Sequence, residues 1–390
     1  MAALLNYWTL LILAGMACTC TAQQAQFENH LEHLTGVRHP AALQNKPLVD
    51  ARDYIKNQFR QYGLDLHVSY FNTTIMVNKE EKQVRGENIV GVAKGPQSGG
   101  VLLVGADYGT SLVRSPLEDN GAGVAVMLEV ARSFMEQMGP KGAFTQIKTV
   151  VFAAFDMNTR EYEGNHPGRP GSYYFLHQWL WPFINQSVDN FSGAVILDSI
   201  TKFNRNINSQ FLPADFAVAF PEANERIAAD NKKGDFLALV TRGNEANLNL
   251  NQALSLNYNK NRKSQLMRLQ ELIMKDGVTL GNAKEMFDHQ AHIHFWTFLP
   301  SEENRPLPAI LLTDTDVYRR SSEECHIPCS AQDFLTNTRK EILGHTSQAV
   351  AHTLADLQAE RKPSENGSSM TAVPSLLMST LLLAVCLLLY

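Results

Sequence analysis

The sequence contains few cysteines and no strongly basic segment. Five cysteines occur in 390 residues, and 34 Lys and Arg stand against 39 Asp and Glu, for a formal net charge of -5. A nucleic-acid partner is therefore not expected, because such surfaces need clustered positive charge. A small disulfide-rich scaffold is excluded by the low cysteine count. The roughly 340 residues between the two apolar ends can bury one large core.

Neither apolar end reaches the ~20 residues that a membrane-spanning helix prefers. The N-terminal apolar run covers 10–17 and is followed by small residues at Thr21 and Ala22. This layout predicts a secretory signal peptide over 1–22. An N-terminal membrane anchor is the less favoured alternative.

The C-terminal end predicts a lipid anchor. A polar linker over 361–369 precedes an apolar tail within 370–390, and no basic residue follows the tail. Small residues, a spacer and an apolar tail form the signal that is exchanged for a glycosylphosphatidylinositol (GPI) anchor. Asn366, Gly367 and Ser368 are the candidate attachment residues. We therefore expect attachment to the outer face of the plasma membrane, with an ordinary tail anchor as the alternative.

The remaining cysteines and the glycosylation motifs fit the same compartment. Cys325 and Cys329 are the two cysteines outside the terminal segments, and a local disulfide is their simplest pairing in an oxidising environment. A metal-binding pair is the alternative, although no second pair of zinc-finger type accompanies it. N-glycosylation motifs begin at Asn72, Asn185, Asn190 and Asn366.

Buried strands and helices alternate along residues 23–360. "GGVLLVGAD", "IKTVVFAAFD", "FSGAVILDSI" and "RPLPAILLTDT" are apolar runs typical of strands buried on both faces. Helical spacing of apolar residues follows "LEDN", where Asp119 or Asn120 is expected to cap the helix, and recurs over 331–361. The second half of the Asn-rich segment 244–277 also predicts an amphipathic helix. The pattern predicts one α/β domain with a mixed, mostly parallel sheet and helices on both faces.

Acidic residues follow several of these predicted strands. Asp107, Asp156 and Asp198 each come at a strand end, and Asp119 precedes a helix. Ligands of open α/β sheets gather outside the carboxyl ends of the strands, and converging carboxylates favour a cation. A metal site is therefore one interpretation. The alternative is that each aspartate caps a helix or a turn.

The ordered motifs resemble the family-28 zinc exopeptidases, which include aminopeptidases, glutamate carboxypeptidases and glutaminyl cyclases. The resemblance is carried by "VLLVGADYGTS", "LEDNGAGVAVMLEVARSF", "TVVFAAFDMN", "AVILDSI", "FDHQAHIHFW" and "CHIPCS", and it covers most of 28–358. It implies an α/β peptidase fold and two zinc ions. The implied metal ligands are Asp107, Asp119, Asp198 and His326, with Asp156, Asp288 and His289 in the surrounding pocket.

The sequence departs from the family pattern at the positions that do the chemistry. Asp107 stands where the family has a zinc-binding histidine, and Gly109 replaces the aspartate that orients it. The family's paired glutamates fall on Asn158 and Thr159, and an amide cannot act as the general base. Glu161 and Glu163 are the substitutes considered for that role. Zinc is implied by the resemblance, but its ligand set is incomplete.

Three functions remain open at this point. The leading hypothesis is a cell-surface binding module that has lost hydrolysis, with an extracellular protein or peptide as ligand. The second is an active metallo-exopeptidase, aminopeptidase-like or cyclase-like, with an altered metal shell. The third is an adhesion module in which Asp107, Asp119 and Asp198 hold one hard cation. The ligand and the oligomeric state are not predicted.

Overall fold

An eight-stranded mixed sheet organises the chain. The computed structural model describes residues 26–96, 100–139, 144–157, 167–260, 267–274, 287, 290–299, 305–321, 325 and 328–361. The strands are β1 (Asp65–Val77), β2 (Glu80–Ala93), β3 (Val101–Asp107), β4 (Phe144–Gln146), β5 (Thr149–Phe155), β6 (Phe191–Leu197), β7 (Phe236–Arg242), β8 (Arg268–Met274), β9 (Ala309–Thr313) and β10 (Ala359–Arg361). In the large sheet they follow the order β1-β2-β5-β3-β6-β9-β7-β8, and β4 pairs with β10 separately.

The centre of the sheet is parallel. β5, β3, β6 and β9 run in one direction, and β7 and β8 form a second parallel pair that lies antiparallel to β9. The hairpin of β1 and β2 adds two antiparallel strands at the other edge. The predicted mixed, mostly parallel α/β sheet is therefore confirmed.

Helices cover both faces of this sheet. They are α1 (Lys46–Gln61), α2 (Ala122–Met138), α3 (Gly171–Phe175), α4 (Phe216–Ala219), α5 (Pro221–Ala229), α6 (Glu245–Lys260), α7 (His292–Thr297), α8 (Ala331–Phe334) and α9 (Asn337–Gln358). One apolar cluster joins α1, α2, α6 and α9 to side chains such as Leu102 and Val104. The other joins α3, α5 and α7 to Leu103 and Ile196. Side chains alternate between the two faces of a sheet, and helices cover both faces here. Each central strand is therefore apolar along its whole length.

The Asn-rich segment is arranged differently from the prediction. Its first half forms α6, whereas the half expected to be helical contains β8. Apolar residues at Leu269, Leu272 and Ile273 have helical spacing, but the backbone of β8 pairs with β7 along its whole length. The sheet edge supplies those hydrogen bonds, so tertiary pairing outweighs the local pattern.

The chain divides into two units, Met1–Glu360 and Arg361–Tyr390. Of the second unit only Arg361 is described, so the rest of the predicted linker and the tail lie outside the described residues. Within the described part of the chain, no helix is both long enough and apolar enough to cross a bilayer.

Candidate functional site

Four aspartates meet at one edge of the parallel sheet. Asp107 ends β3, Asp156 follows β5 directly and Asp198 follows β6 directly. Asp314 follows β9 in the same way, and all four are at most 3% exposed. The strands are adjacent and parallel, which brings their carboxyl ends to a common crevice. Sequence reasoning missed Asp314, although it obeys the same rule of an aspartate placed after a buried strand.

The Asp119–Asn120 turn lies against this edge. A turn over Leu117–Gly121, with non-helical backbone angles at Asp119 and Asn120, leads into α2, and the peptide bond between these two residues is cis. The expected helix cap is wrong, because Gly121 is the N-cap residue and makes no side-chain cap bond. Instead, Asp119 Oδ2 accepts a hydrogen bond of 2.8 Å from the backbone N–H of Ser111. The carboxylate therefore holds the loop after β3 rather than the end of α2.

Asn120 connects two neighbouring strand ends. Its side-chain Nδ2 donates to the carbonyl oxygens of Leu197 (2.8 Å) and Asp107 (3.3 Å), and its Oδ1 accepts from Ser199 N–H (3.1 Å). The side chain is completely buried. A Cβ built on Gly123 would lie 2.2 Å from Asn120 Oδ1. The spacing from asparagine to glycine in "DNGAG" is thus explained by close packing of α2 on this amide.

A buried arginine stands beside the turn. Arg38 is 1% exposed and donates to the carbonyl oxygens of Tyr108 (2.6 Å), Gly36 (3.1 Å) and Pro116 (3.0 Å). Burial lowers the pKa of Arg38 to about 10, against the attraction of the Asp119 carboxylate. The guanidinium stays charged at neutral pH and fixes the loops on both sides of Asp119.

Asp156 is used in an ion pair on the other side of β3. Its Oδ2 binds Arg52 of α1 and accepts the backbone N–H of Glu87 at 2.9 Å. Its Oδ1 accepts the N–H of Met157, also at 2.9 Å. These contacts tie β5 to β2 and α1. A carboxylate with such partners serves the packing of the fold at this place.

A cavity of about 440 Å³ opens beside Asp119 and contains ammonium and guanidinium groups. Lys202 Nζ lies 3.0 Å from Asp316 Oδ1, and Arg114 binds Oδ2 of the same carboxylate. Arg339 Nη2 donates to Glu118 Oε1 at 2.8 Å. Burial raises the pKa of Glu118, while Lys202 and Arg339 oppose that shift. The carboxylates of Asp316 and Glu118 are thus each paired with side-chain cations.

The described residues do not fit the two zinc ions that the family resemblance implies. Among them, no group of three or more His, Cys, Asp or Glu side chains is arranged to hold a metal ion. A zinc site needs at least three protein ligands per ion. The predicted residues Asn158, Glu161, Glu163, Asp288, His289 and His326 lie outside the described residues, so their roles stay predictions.

The pKa of Asp314 is raised at this edge of the sheet. Burial raises the pKa of Asp314 to about 6, while Lys202 and Arg319 oppose the rise and Asp198 adds to it. Its Oδ2 accepts the N–H of Lys202 at 2.6 Å, and its Oδ1 accepts the N–H of Asp316 at 2.7 Å. Asp314 therefore orders the loop after β6, which presents Lys202 to the cavity.

Two of the histidines of "DHQAHIHFW" lie on a helix. His292 and His294 belong to α7. His292 is fully buried and packs edge-on against Trp296 at 4.6 Å between ring centroids. His294 Nδ1 lies 2.9 Å from Ser172 Oγ. Burial lowers the pKa of His294 to about 3, with smaller contributions from Arg169 and His177. Both imidazoles are part of the packing of α7.

Two further predictions concern the surface. Cys325 and Cys329 form the expected disulfide, with Cα atoms 5.6 Å apart. Asn72, Asn185 and Asn190 are exposed, as glycan acceptors must be, although the Nδ2 of Asn190 donates to Ile184 O at 3.0 Å. Asn366, Gly367 and Ser368 lie outside the described residues. Glycosylation and lipid attachment therefore stay predictions.

Comparison with known proteins agrees with this architecture. Residues 88–234 match the model of Peptidase family M28. The uncharacterized protein YfbL of Escherichia coli (strain K12) is 24% identical over 327 residues, which cover 80% of this chain and 83% of that protein. The glutaminyl cyclase of Macrostomum lignano has a TM-score of 0.53 at 14% identity and covers 86% of this chain and 89% of its own. BSAP, a zinc aminopeptidase from Bacillus subtilis, also has a TM-score of 0.53, at 11% identity over 89% and 96% of the two chains.

The match begins within β2 and includes the strand ends that carry Asp107, Asp156 and Asp198 together with the Asp119 turn. Residues 88–234 are thus similar to Peptidase family M28, and the chain has the fold of the aminopeptidases and glutaminyl cyclases that it resembles in structure.

Proposed function

We propose that this protein is a non-catalytic, ligand-binding member of the M28 superfamily, carried on the outer face of the plasma membrane by a GPI anchor. The observation that carries the loss of catalysis is the double pairing of Asp316 with Lys202 and Arg114 inside the cavity that Asp119 lines. Side-chain cations there repel a metal ion and compete with it for the carboxylates. The sequence supports the same conclusion, because Asp107, Gly109, Asn158 and Thr159 replace the family's metal-binding and general-base residues.

A metal assay combined with a substrate panel tests the loss of catalysis. The full chain, expressed in secretory cells and purified in detergent, is analysed for zinc and incubated with aminoacyl substrates and N-terminal glutaminyl peptides. The panel follows the activities of the aminopeptidases and glutaminyl cyclases that share the fold. We expect less than stoichiometric zinc and no turnover. Stoichiometric zinc with chelator-sensitive turnover would instead support the active metallo-exopeptidase.

Any turnover must be assigned to this site by variants. Asp119→Asn removes the carboxylate that the family uses to bridge its metals, and Asp189→Asn changes an exposed carboxylate elsewhere. Turnover lost in the first variant and kept in the second would locate hydrolysis in this crevice and contradict the proposal. Glu161→Gln with Glu163→Gln then asks whether either glutamate supplies the general base.

The membrane part of the proposal has a separate test. Cells that express the full chain are treated with phosphatidylinositol-specific phospholipase, and the protein is followed at the cell surface and in the medium. We expect release into the medium, because the C-terminal sequence has the layout of a GPI signal. Retention on the membrane would favour the tail anchor.

A further inference from the structure

Basic side chains outnumber acidic ones in the cavity beside Asp119. The basic lining residues are Arg114, Lys202, Arg319 and Arg320, and the acidic ones are Glu118, Asp119 and Asp316. Asp316 already pairs with two of the cations. Glu118 pairs with Arg339, which is not itself part of the lining. The remaining positive charge favours an anionic ligand over a cationic one.

Arg319 supplies a buried donor in the wall of this cavity. Its side chain is held by a 2.9 Å bond from Nε to Gln210 Oε1 and a 3.1 Å bond from Nη1 to Lys202 O. Its guanidinium stacks on Phe236 at 4.5 Å. Within the described structure, Arg319 Nη2 has no hydrogen-bond partner, although the residue is only 3% exposed. Buried guanidinium nitrogens are nearly always satisfied, and Nη2 is the nitrogen of Arg319 that is left to bind an acceptor.

Ser115 and two valines add a hydroxyl group and apolar surface to the cavity. The Oγ of Ser115 is a second buried atom that lacks a partner among the described residues. Val113 and Val317 line the same cavity and are 85% and 50% exposed. Apolar side chains at such a rim favour a ligand with an apolar body. Cationic donors and an apolar rim therefore lie within one cavity of small-molecule size.

Building on the proposed loss of catalysis, we infer that this cavity binds a monoanionic carboxylate with an apolar body, held by Arg319, Ser115 and Arg114. A carboxylate oxygen can accept a charge-assisted hydrogen bond from Arg319 Nη2, while Nε and Nη1 stay bound to Gln210 and Lys202. A phosphate dianion is disfavoured, because three acidic side chains share the cavity. The carboxylate belongs either to the free C-terminus of an apolar peptide or to a free apolar acid.

Titration calorimetry on the full chain in detergent, with chelator present, tests the inference. The probes are N-acetyl-leucyl-leucine, its C-terminal amide, hexanoate and inorganic phosphate. We expect the acid to bind at least about tenfold more tightly than the amide, since the amide lacks the charged hydrogen bonds. Binding of the peptide acid alone identifies a peptide C-terminus, and binding of hexanoate as well identifies a general apolar carboxylate site. Equal binding of acid and amide, tighter binding of phosphate, or no binding of either carboxylate at millimolar concentration would overturn the inference.

Variants locate the binding without relying on the buried Arg319. Ser115→Ala removes a hydroxyl that has no described partner, so the fold is expected to persist, and Arg114→Gln removes a partly exposed cation. Each should weaken binding of the acid several-fold, whereas Arg85→Gln, an exposed arginine over Tyr70 outside the cavity, should not. Binding that is unchanged in both cavity variants contradicts the assignment. If the protein binds no carboxylate and shows no zinc-dependent turnover, this inference is wrong but the proposed function stands. Zinc-dependent turnover would contradict the proposed function.

Discussion

Lys202 and Arg114 bind opposite oxygens of one carboxylate, that of Asp316. The lysine follows β6 and the arginine follows β3, so the ion pairs connect three loops at the carboxyl edge of the sheet. The Asp316 side chain is 4% exposed, whereas the lysine and arginine side chains are 15% and 30% exposed. A charge buried to that degree requires opposite charges close by.

A double-mutant cycle should reveal how strongly these two cations depend on each other. Lys202→Ala and Arg114→Ala are each expected to lower the free energy of unfolding by about 1 kcal/mol, because one cation remains beside Asp316. The double variant should lose about 3 kcal/mol, more than the sum, since the buried carboxylate then lacks both. Urea unfolding measures all four proteins. Repeating the cycle with Asp316→Asn should abolish the excess loss, and an additive cycle with Asp316 intact would contradict the expectation.

The Arg52–Asp156 ion pair should matter far more than an exposed one. Asp156→Asn leaves a largely buried guanidinium without its carboxylate and is expected to cost about 3 kcal/mol of unfolding free energy. Asp189→Asn breaks the Arg305–Asp189 pair, whose side chains are 55% and 77% exposed, and should change stability by less than about 0.5 kcal/mol. Urea denaturation of both variants makes the comparison. Similar losses in the two proteins would show that burial does not set the strength of these pairs.

Two glycine-to-alanine substitutions should act in opposite directions. In Gly123→Ala the new Cβ would meet Asn120 Oδ1 at 2.2 Å, so the amide must move from the strand ends, and we expect a loss of about 2 kcal/mol or more. Gly344 lies within α9 and has no described atom within 4 Å of a built Cβ. Gly344→Ala should therefore raise stability by about 0.5–1 kcal/mol through helix propensity. Thermal unfolding reports both, and a neutral Gly123→Ala would show that Asn120 does not hold the strand ends.

Much of the sheet could be predicted, because an apolar run indicates a buried strand and the aspartate after it marks the carboxyl end of that strand. That pattern predicts Asp107, Asp156 and Asp198 at one edge of the sheet, and the parallel pairing of β5, β3 and β6 confirms their common position. β8 could not be predicted locally. Its Leu269, Leu272 and Ile273 fit a helix by spacing, and only the edge of β7 determines that they form a strand.

The ion pairs in the cavity could not be predicted from the sequence for a different reason. Arg114 and Asp316 are 202 residues apart; Arg114 lies in a loop and Asp316 begins a three-residue 3-10 helix, and neither sequence has a periodic signal. Nothing in "TSLVRSP" or "TDTDVYRR" indicates that these side chains meet. The sequence could show which family residues are missing, as at Asp107 and Gly109, but not that Lys202 and Arg114 bring positive charge into the same crevice.

The pH dependence of stability should report the partly buried His294. In the folded protein its pKa is about 3, whereas an unfolded histidine titrates near 6.5. Between these values the unfolded chain binds one more proton, so stability is complete above pH 6.5 and falls as the pH falls toward 3. The loss approaches about 1.4 kcal/mol per pH unit, or about 2 kcal/mol from pH 7 to pH 5. His294→Gln keeps a polar group near Ser172 and should remove that part of the slope in urea unfolding, whereas His352→Gln, on the exposed side of α9, should leave it unchanged. The same slope in His294→Gln as in the unmodified protein would mean that the imidazole is protonated in the folded state over this range.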